Sequence, residues 1–232
     1  MVSVVIIAAN AKEYIKEALD STQDFDEVIL YLNNSSDETK DIASRYNNVK
    51  IIQGYFDGYG PTKNRALSYA SNSWVFVLDS DEVITKELKE EIFKELKDAK
   101  FNAYYVPRLN NFWGNNIKHL GLYPDYSIRL FNKDIARFND REVHESIEYS
   151  GKKGYLKNHL IHYAYSSIEE FIKKQNIYSS MGAKPNRLKA FFSPKWTFFK
   201  MYILKLGFLE GWNGYIIAKL YSEYTFWKYI KT

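Results

Sequence analysis

The sequence predicts an α/β fold built on a doubly wound, mostly parallel sheet. Apolar, β-branched runs alternate with helical patterns over the first hundred residues, which is typical of parallel strands joined by helices. The chain has 232 residues, 46% of them hydrophobic, so it can bury a sizeable core. The fourth apolar run, "WVFVLD", ends in carboxylates, and ligands of such sheets bind at strand ends.

The strands of this half share short runs of apolar, often β-branched residues and are predicted at 2–8, 27–32, 49–52 and 74–78. Asn10 with Glu13, and Ser35 with Glu38, match the spacing of a capping box. These matches predict one helix after each of the first two strands, the second reaching about residue 46.

Proline suits the first turn of a helix, so a third helix is predicted to begin near Pro61. Thr85 can cap a fourth, with Leu88, Ile92 and Leu96 on its inner face. Farther along, "NAYYVPRL", "YSIRLF" and "HLIHYAY" predict strands of a mixed-sheet extension, followed by a helix over 166–180.

The composition excludes several classes of protein. The chain has no cysteine, which excludes disulfides, thiol catalysis and cysteine-ligated zinc. The start, "MVSVVIIAAN", has no basic segment before its apolar run and is interpreted as a strand. No apolar run approaches the ~18 residues of a membrane span. We therefore expect a cytoplasmic protein, peripheral on the inner face of the cytoplasmic membrane.

The expectation of membrane contact comes from the last segment, residues 184–232, called the tail below. It carries nine Lys or Arg, two Glu and 14 of the chain's 40 aromatic residues. Lysines mixed with Trp, Tyr and Phe are typical of helices that lie on an anionic membrane surface. The alternative is a helical pair packed on the body of the protein. No nucleic-acid partner is expected, because the rest of the chain is net acidic and no binding module is recognised.

Asp79 and Asp81, separated by one residue, form the strongest candidate site. Two carboxylates at a strand end suit Mg²⁺ or Mn²⁺ together with substrate phosphates. A solvated turn is an equally good interpretation of this spacing alone. A third interpretation is a haloacid dehalogenase-type phosphatase with Asp79 as nucleophile. Against it, three strand–helix units precede the motif here, whereas such phosphatases usually carry it on the first strand. A catalytically inactive binding protein on a membrane surface is a fourth.

The ordered motifs "VVIIAAN", "SSDET", "GYGPTKNRAL", "WVFVLDSDEVIT", "YPDYSIRLFNK" and "VHES" resemble the family 2 glycosyltransferases, over roughly residues 2–180. Within that family they are most similar to lipopolysaccharide or lipooligosaccharide core β-glucosyltransferases of bacteria. The resemblance implies a GT-A fold and an inverting transfer of a hexose, expected to be glucose, from a UDP-sugar to a lipid-linked glycan. It also implies a nucleotide-sugar half at 1–100 and an acceptor and catalytic half at 101–183. The tail is predicted to be a membrane-associating segment from its own composition.

By this resemblance Asp81 is a ligand of the divalent ion, Asp79 contacts the donor and the ion, and Ser80 contacts the donor. Glu82 would order the loop. His162 would complete the metal shell, whereas a lone histidine on an apolar strand is more often a core residue.

The rest of the donor site is also assigned by resemblance. The backbone of Ala8 and Ala9 would hold the base. The aspartate pair common after the second strand is replaced by Leu32 and Asn33, and an asparagine amide can still pair with uracil. Further contacts with the donor are predicted for Lys63, Asn64, Lys174 and Tyr178. For Lys63, Lys174 and Tyr178 the alternative is a solvent-exposed position on a helix surface.

The catalytic base is placed outside the acidic triplet, which is Asp79, Asp81 and Glu82, because the base must lie opposite the leaving group. By resemblance Glu145 in "VHES" is the base, and His144 beside it shapes the site. The alternative is a salt bridge among Arg141, Glu142 and Glu145. Asp125 is the competing base, and Arg129 is its expected partner.

Overall fold

The computed structural model describes residues 1–139 and 146–231. The chain forms two compact units that interleave along the sequence. Unit 1 comprises Met1–Arg108 and Tyr126–His162, and Unit 2 comprises Leu109–Asp125 and Tyr163–Thr232. The functional division at residues 100 and 183 stays a prediction.

The strands, in chain order, are β1 (Val2–Ala8), β2 (Glu27–Asn33), β3 (Val49–Gly54), β4 (Trp74–Asp79), β5 (Glu82–Ile84), β6 (Ala103–Phe112), β7 (Asn115–Asn116), β8 (Asp125–Asn132), β9 (Ala136–Phe138), β10 (Ile147–Tyr149), β11 (Lys153–Tyr155) and β12 (Leu160–Tyr165). The helices are α1 (Ile15–Asp20), α2 (Thr39–Ala43), α3 (Tyr59–Leu67), α4 (Lys86–Glu95), α5 (Ile168–Met181), α6 (Arg187–Phe199) and α7 (Gly211–Ile230).

The first four strands form the parallel part of the Unit 1 sheet, in the order β3-β2-β1-β4. Their side chains alternate between two buried clusters. Val4 and Phe76 pack with α1 and α4 in one cluster, whereas Val5 and Val77 pack with α3 in the other. Helices therefore cover both faces, which confirms the predicted doubly wound sheet.

The sheet continues through antiparallel pairing of β8 with β4, and its order is then β8-β6-β12-β5. In a flat sheet, four strand spacings of about 4.8 Å would put β5 about 19 Å from β4. Only Ser80 and Asp81 separate the two strands in sequence, and three Cα–Cα steps reach at most about 11 Å. The sheet must therefore curl, bringing its last strand back toward β4.

Both predicted capping boxes are wrong. The structure uses Asn10, whose φ is 51°, to join the loops after β1 and β2. The hydroxyl of Ser35 accepts a hydrogen bond from the Asn10 N–H (2.9 Å), and the Asn10 side-chain oxygen accepts one from the Ser36 N–H (2.9 Å). Because β1 and β2 are neighbours, partners from the adjacent loop replace the local caps. Helix α2 also ends at Ala43, short of the predicted residue 46.

Asp37 completes this junction between the loops. Its carboxylate accepts hydrogen bonds from the backbone N–H groups of Lys12 (3.1 Å) and Thr39 (3.1 Å) and from the Ser35 hydroxyl (3.2 Å). Desolvation would raise the pKa of Asp37, but these hydrogen bonds outweigh it and lower the pKa to about 2.

Unit 2 is held by α5 and α7 around a hydrophobic cluster that includes Phe112, Phe171 and Ile217. Glu210, directly before α7, accepts hydrogen bonds from the N–H groups of Lys118 (2.8 Å) and His119 (2.9 Å). The predicted helix after β12 is confirmed as α5. Within the described ranges, no helix combines the length and apolar character that crossing a bilayer requires.

Asp37→Asn tests the junction between the loops. An aspartate with a folded pKa of about 2 and an ordinary unfolded pKa of about 3.9 stabilises the fold above pH 4 and loses that effect toward pH 2. We expect the variant to be less stable at pH 6, with the difference shrinking as pH falls from 4 to 2 in urea unfolding. The control is Asp98→Asn, at an exposed position. A difference that persists unchanged at pH 2 would contradict the assignment.

Candidate active site

The candidate site lies at the edge of Unit 1 where the parallel strands end. Ile7 is paired with Asp79, and Ala8 is paired with Leu32. The termini of β1, β2 and β4 therefore lie side by side, so the backbone after Ala8, the side chain of Asn33 and the carboxylate of Asp79 share one edge of the sheet.

Arg129, on β8, connects the two ends of the acidic triplet. Its guanidinium nitrogen lies 2.7 Å from the Asp79 carboxylate and also contacts the Glu82 carboxylate. Arg129 is 5% exposed and Glu82 is fully buried. A guanidinium with two carboxylate partners can be buried without leaving an uncompensated charge. The sequence-based expectation that Arg129 pairs with Asp125 is replaced by these two contacts, because β8 lies directly beside β4.

Glu82 lies inside the curl of the sheet. One of its oxygens accepts a hydrogen bond from the backbone N–H of Asp79 (3.0 Å), which closes the loop Asp79–Glu82 on itself. Its other oxygen lies 3.8 Å from the Arg108 guanidinium on β6. Short strand β5, which begins at Glu82 and was not predicted, pairs with β12 so that Glu82 faces His162.

The two carboxylates of this cluster have opposite pKa shifts. Desolvation would raise the pKa of Asp79, but the positive charges of Arg129 and Lys63 outweigh it and hold the pKa far below its usual value. Burial raises the pKa of Glu82, and the negative charge of Asp79 adds to this while Arg129 opposes it. Asp79 is therefore the carboxylate that stays ionised at the surface of the site.

Lys63 reaches the same carboxylate from α3. Its ammonium lies 3.4 Å from the second oxygen of Asp79 and 5.3 Å from the centre of the Phe138 ring. At 6% exposure it is buried, so the alternative of a solvated helix lysine is wrong. Lys63 and Arg129 together fix the orientation of the Asp79 side chain.

Asp81 and His162 are the residues that fit a divalent cation. The Asp81 carboxylate lies 3.7 Å from His162 Nε2, a separation that two ligands of one ion can have when each lies about 2.1 Å from it. Burial lowers the pKa of His162, which favours the neutral, ligating imidazole. Both oxygens of Asp79, in contrast, face cationic side chains. Among the described residues, no group of three His, Asp or Glu could hold an ion.

Asn64 binds backbone and not an open site. Its amide donates to the Phe138 carbonyl (2.8 Å) and its oxygen accepts from the Phe138 N–H (2.9 Å). Asn64 thus fixes the end of β9, directly before residues 140–145. Glu145 and His144, the predicted base and its neighbour, lie in that segment, outside the described residues.

The other predicted site residues lie in Unit 2. Asp125 begins β8, and its negative charge contributes to a raised pKa of Tyr221, whose main cause is burial. Lys174 pairs with Glu170 on α5 (2.7 Å), and Tyr178, one turn farther along, is half exposed. Their assignment to the donor site stays a prediction.

Arg108 and the true role of Arg129 were missed from sequence. The signal was present, since both arginines interrupt apolar runs, in "YYVPRL" and "YSIRLF". A charged residue in a buried strand requires an ionic partner. The carboxylates of the acidic triplet, at the end of β4, were the obvious ionic partners for these two arginines.

Comparison with known proteins identifies the class. Residues 3–163 match the model of glycosyl transferase family 2, and the chain belongs to this family. An uncharacterised glycosyltransferase of Rickettsia typhi is 28% identical over 95% of this chain and 82% of its own. LpsC of Rhizobium meliloti, a lipopolysaccharide core biosynthesis glycosyltransferase, is 25% identical over 97% of this chain and 88% of its own.

Solved structures confirm the GT-A fold. TarS 1–349 of S. aureus superposes with a TM-score of 0.51 at 18% identity, covering 94% of this chain and 78% of TarS. Its complex with UDP gives a TM-score of 0.53 over 90% of this chain and 75% of that one. Because the chain belongs to glycosyl transferase family 2, the protein is a glycosyltransferase and the phosphatase interpretation is wrong.

Arg129→Met tests the central ion pairs. Removing the guanidinium leaves two carboxylates without their main partner, and we expect a loss of about 3–5 kcal/mol in the free energy of unfolding, measured by urea titration. Adding Glu82→Gln to this variant should recover part of the loss. Arg137→Met, at an exposed arginine on β9, is the matched control. A loss below about 1 kcal/mol for Arg129→Met would refute the bridging role.

Proposed function

We propose that the protein transfers a hexose, glucose being the first candidate, from a UDP-sugar to the glycan of a lipid-linked acceptor such as a lipooligosaccharide core. The observation that carries this proposal is the loop Asp79–Glu82 at the parallel strand ends, held by Arg129, with Asp81 beside His162. A UDP complex of TarS and the core-biosynthesis name of LpsC support the donor and the acceptor class.

In this proposal the donor's base lies against the backbone of Ala8 and Ala9 and pairs with Asn33. The hydroxyls of its ribose and sugar donate to Asp79, which its low pKa keeps ionised and able to accept. Ser80, Lys174 and Tyr178 are further donor contacts. Because Lys63 and Arg129 hold the Asp79 side chain, its carboxylate is already oriented for hydrogen bonding before the UDP-sugar binds.

Asp81 and His162 would hold Mn²⁺ or Mg²⁺ against the donor's diphosphate. When bound, the ion would supply positive charge where the departing UDP gains negative charge. Asp79 has a different task in this arrangement, because its oxygens already face Lys63 and Arg129.

Glu145 is proposed as the base, with His144 shaping its surroundings and Asp125 as the competing candidate. It removes the proton of the acceptor hydroxyl while that oxygen forms a bond to the anomeric carbon from the side opposite UDP. The bond between the anomeric carbon and the diphosphate breaks, and its electron pair leaves with UDP. The configuration at the anomeric carbon is therefore inverted.

Two substitutions separate donor chemistry from proton removal. We expect Asp81→Ala to abolish turnover of UDP-glucose, since the diphosphate loses its ion. We expect Glu145→Gln to reduce transfer at least a hundredfold while UDP-sugar binding stays within about twofold. Turnover would be followed by UDP release and binding by calorimetry, with the exposed Glu148→Gln as control. Full transfer by Glu145→Gln would exclude Glu145 as base and favour Asp125.

The proposal places the protein at the cytoplasmic face of an anionic membrane. Large apolar side chains stand in solvent along the tail, and the most exposed of them are Leu188, Phe191, Phe192, Trp196, Leu204, Leu209 and Trp212. A soluble monomer rarely exposes so much apolar surface without a partner. Nine basic residues on the same segment suit anionic headgroups, each contributing about 1 kcal/mol near such a surface.

Vesicle binding tests this placement. We expect co-sedimentation with vesicles of phosphatidylcholine and phosphatidylglycerol, weakening as salt rises, and little binding to phosphatidylcholine alone. Trp196→Ser with Trp212→Ser should weaken binding at least tenfold. Tyr69→Ser, at an exposed ring of Unit 1, should leave it unchanged. Equal binding to both vesicle types, or none to either, would contradict the proposal.

A further inference from the structure

Arg108, on β6, lies beside the loop Asp79–Glu82 but is not among the proposed donor contacts. Its guanidinium lies 3.8 Å from Glu82 Oε1, the same oxygen that Arg129 contacts at shorter range. The side chain of Arg108 is 26% exposed, whereas that of Arg129 is 6% exposed. Arg129 is therefore enclosed with its two carboxylates, while Arg108 reaches the surface of the site.

Arg108, Glu82 and His162 lie on one face of the sheet. Their strands are neighbours in the order β6-β12-β5. Glu82 lies opposite His162 in the antiparallel pairing of β5 with β12, so the two side chains point to the same face. Because the Arg108 guanidinium contacts the Glu82 carboxylate across β12, it lies on this face too, beside His162.

The charge of Arg108 acts on the side chains around it. Burial is the main cause of the lowered pKa of His162, and the positive charge of Arg108 lowers this pKa further. Against desolvation, Arg108 also contributes to the low pKa of Asp79, after Arg129 and Lys63. Arg108 therefore stands next to the side-chain pair that fits a divalent cation.

The charges of the acidic triplet are matched by cations of the described part of the chain. Two of its carboxylates contact Lys63, Arg108 and Arg129. The third, Asp81, lies beside His162. A divalent ion on Asp81 would add two positive charges close to a partly exposed guanidinium. An anion with two or more charges, lying between the ion and Arg108, would offset this excess.

A diphosphate is an anion of this kind, and a guanidinium is suited to bind it. The group is permanently charged, and its planar fork matches two oxygens of one phosphate. We propose that Arg108 binds the donor's diphosphate at the phosphate attached to the sugar, which rests on the proposed function of the active site.

The sheet order explains why the sugar-bearing phosphate is assigned to Arg108. The donor's base is proposed to lie at the ends of β1 and β2, and β6 lies beyond β4 and β8 from there. Of the two phosphates, the one farther from the base is therefore nearer to Arg108. As the bond to the anomeric carbon breaks, its electron pair stays on an oxygen of this phosphate, and Arg108 keeps its proton and stabilises the growing charge.

Binding of UDP and UMP to the full chain tests this assignment, because only UDP carries the second phosphate. Calorimetry without metal, and again with Mn²⁺, gives the dissociation constants. We expect Arg108→Gln to raise the constant for UDP at least tenfold in both conditions and to leave that for UMP within about twofold. Arg137→Gln, at the exposed arginine on β9, is the matched control and should change neither constant.

A second variant and a stability measurement separate binding from support of the fold. Arg108→Lys keeps the charge but lacks the fork, so it should weaken UDP binding less than Arg108→Gln and still more than it weakens UMP binding. This variant tests the assignment even if Arg108→Gln fails to fold. Urea unfolding should show a smaller loss for Arg108→Gln than for Arg129→Met, because Arg129 still contacts the Glu82 carboxylate.

The outcomes also separate this inference from the proposed function. If the unchanged protein bound no UDP with or without Mn²⁺, the proposed function would fail and this inference with it. UDP binding that both Arg108 variants leave unchanged would overturn the inference alone. Equal weakening of UDP and UMP, or a raised KM for the acceptor with unchanged UDP binding, would overturn it as well.

Discussion

The two-residue connection between β4 and β5 is the constraint on which the site depends. Because Ser80 and Asp81 cannot span a flat sheet of this strand order, the sheet curls and Glu82 turns inward. Strand β8 lies directly beside β4, and the curl brings Glu82 on β5 back toward it, so Arg129 reaches both Asp79 and Glu82. The short connection between β4 and β5 therefore determines both the curl of the sheet and the ion pairs of the site.

Burying these charges has a cost that ordinary core packing would avoid. Apolar residues of similar volume often stabilise a protein as well as a buried ion pair does. Arg129, Glu82 and Lys63 are nevertheless almost fully enclosed. Their effect is to keep Asp79 ionised and fixed at the surface of the site, which its proposed role toward the donor's hydroxyls requires and which an apolar cluster could not do.

The sequence predicted the regular parts of Unit 1 closely, because buried parallel strands are marked by continuous apolar runs such as "VSVVIIA" and "WVFVLD". It failed where distant residues compete with local ones. Asn10 and Ser35 have the spacing of helix caps, yet they bond across two loops. Strand β5 was too short to show a pattern, and the partner of Arg129 depended on a sheet order that no local signal contains.

The same division applies to function. Family membership follows from motifs at fixed spacing, whereas the exposed rings of the tail follow no such pattern. The most direct measurement is a thermal-shift comparison of UDP, ADP and GDP with and without Mn²⁺. The account predicts a rise in Tm for UDP that requires the ion and is lost in Asp81→Ala. Equal stabilisation by all three nucleotides, or a UDP effect that Asp81→Ala retains, would contradict it.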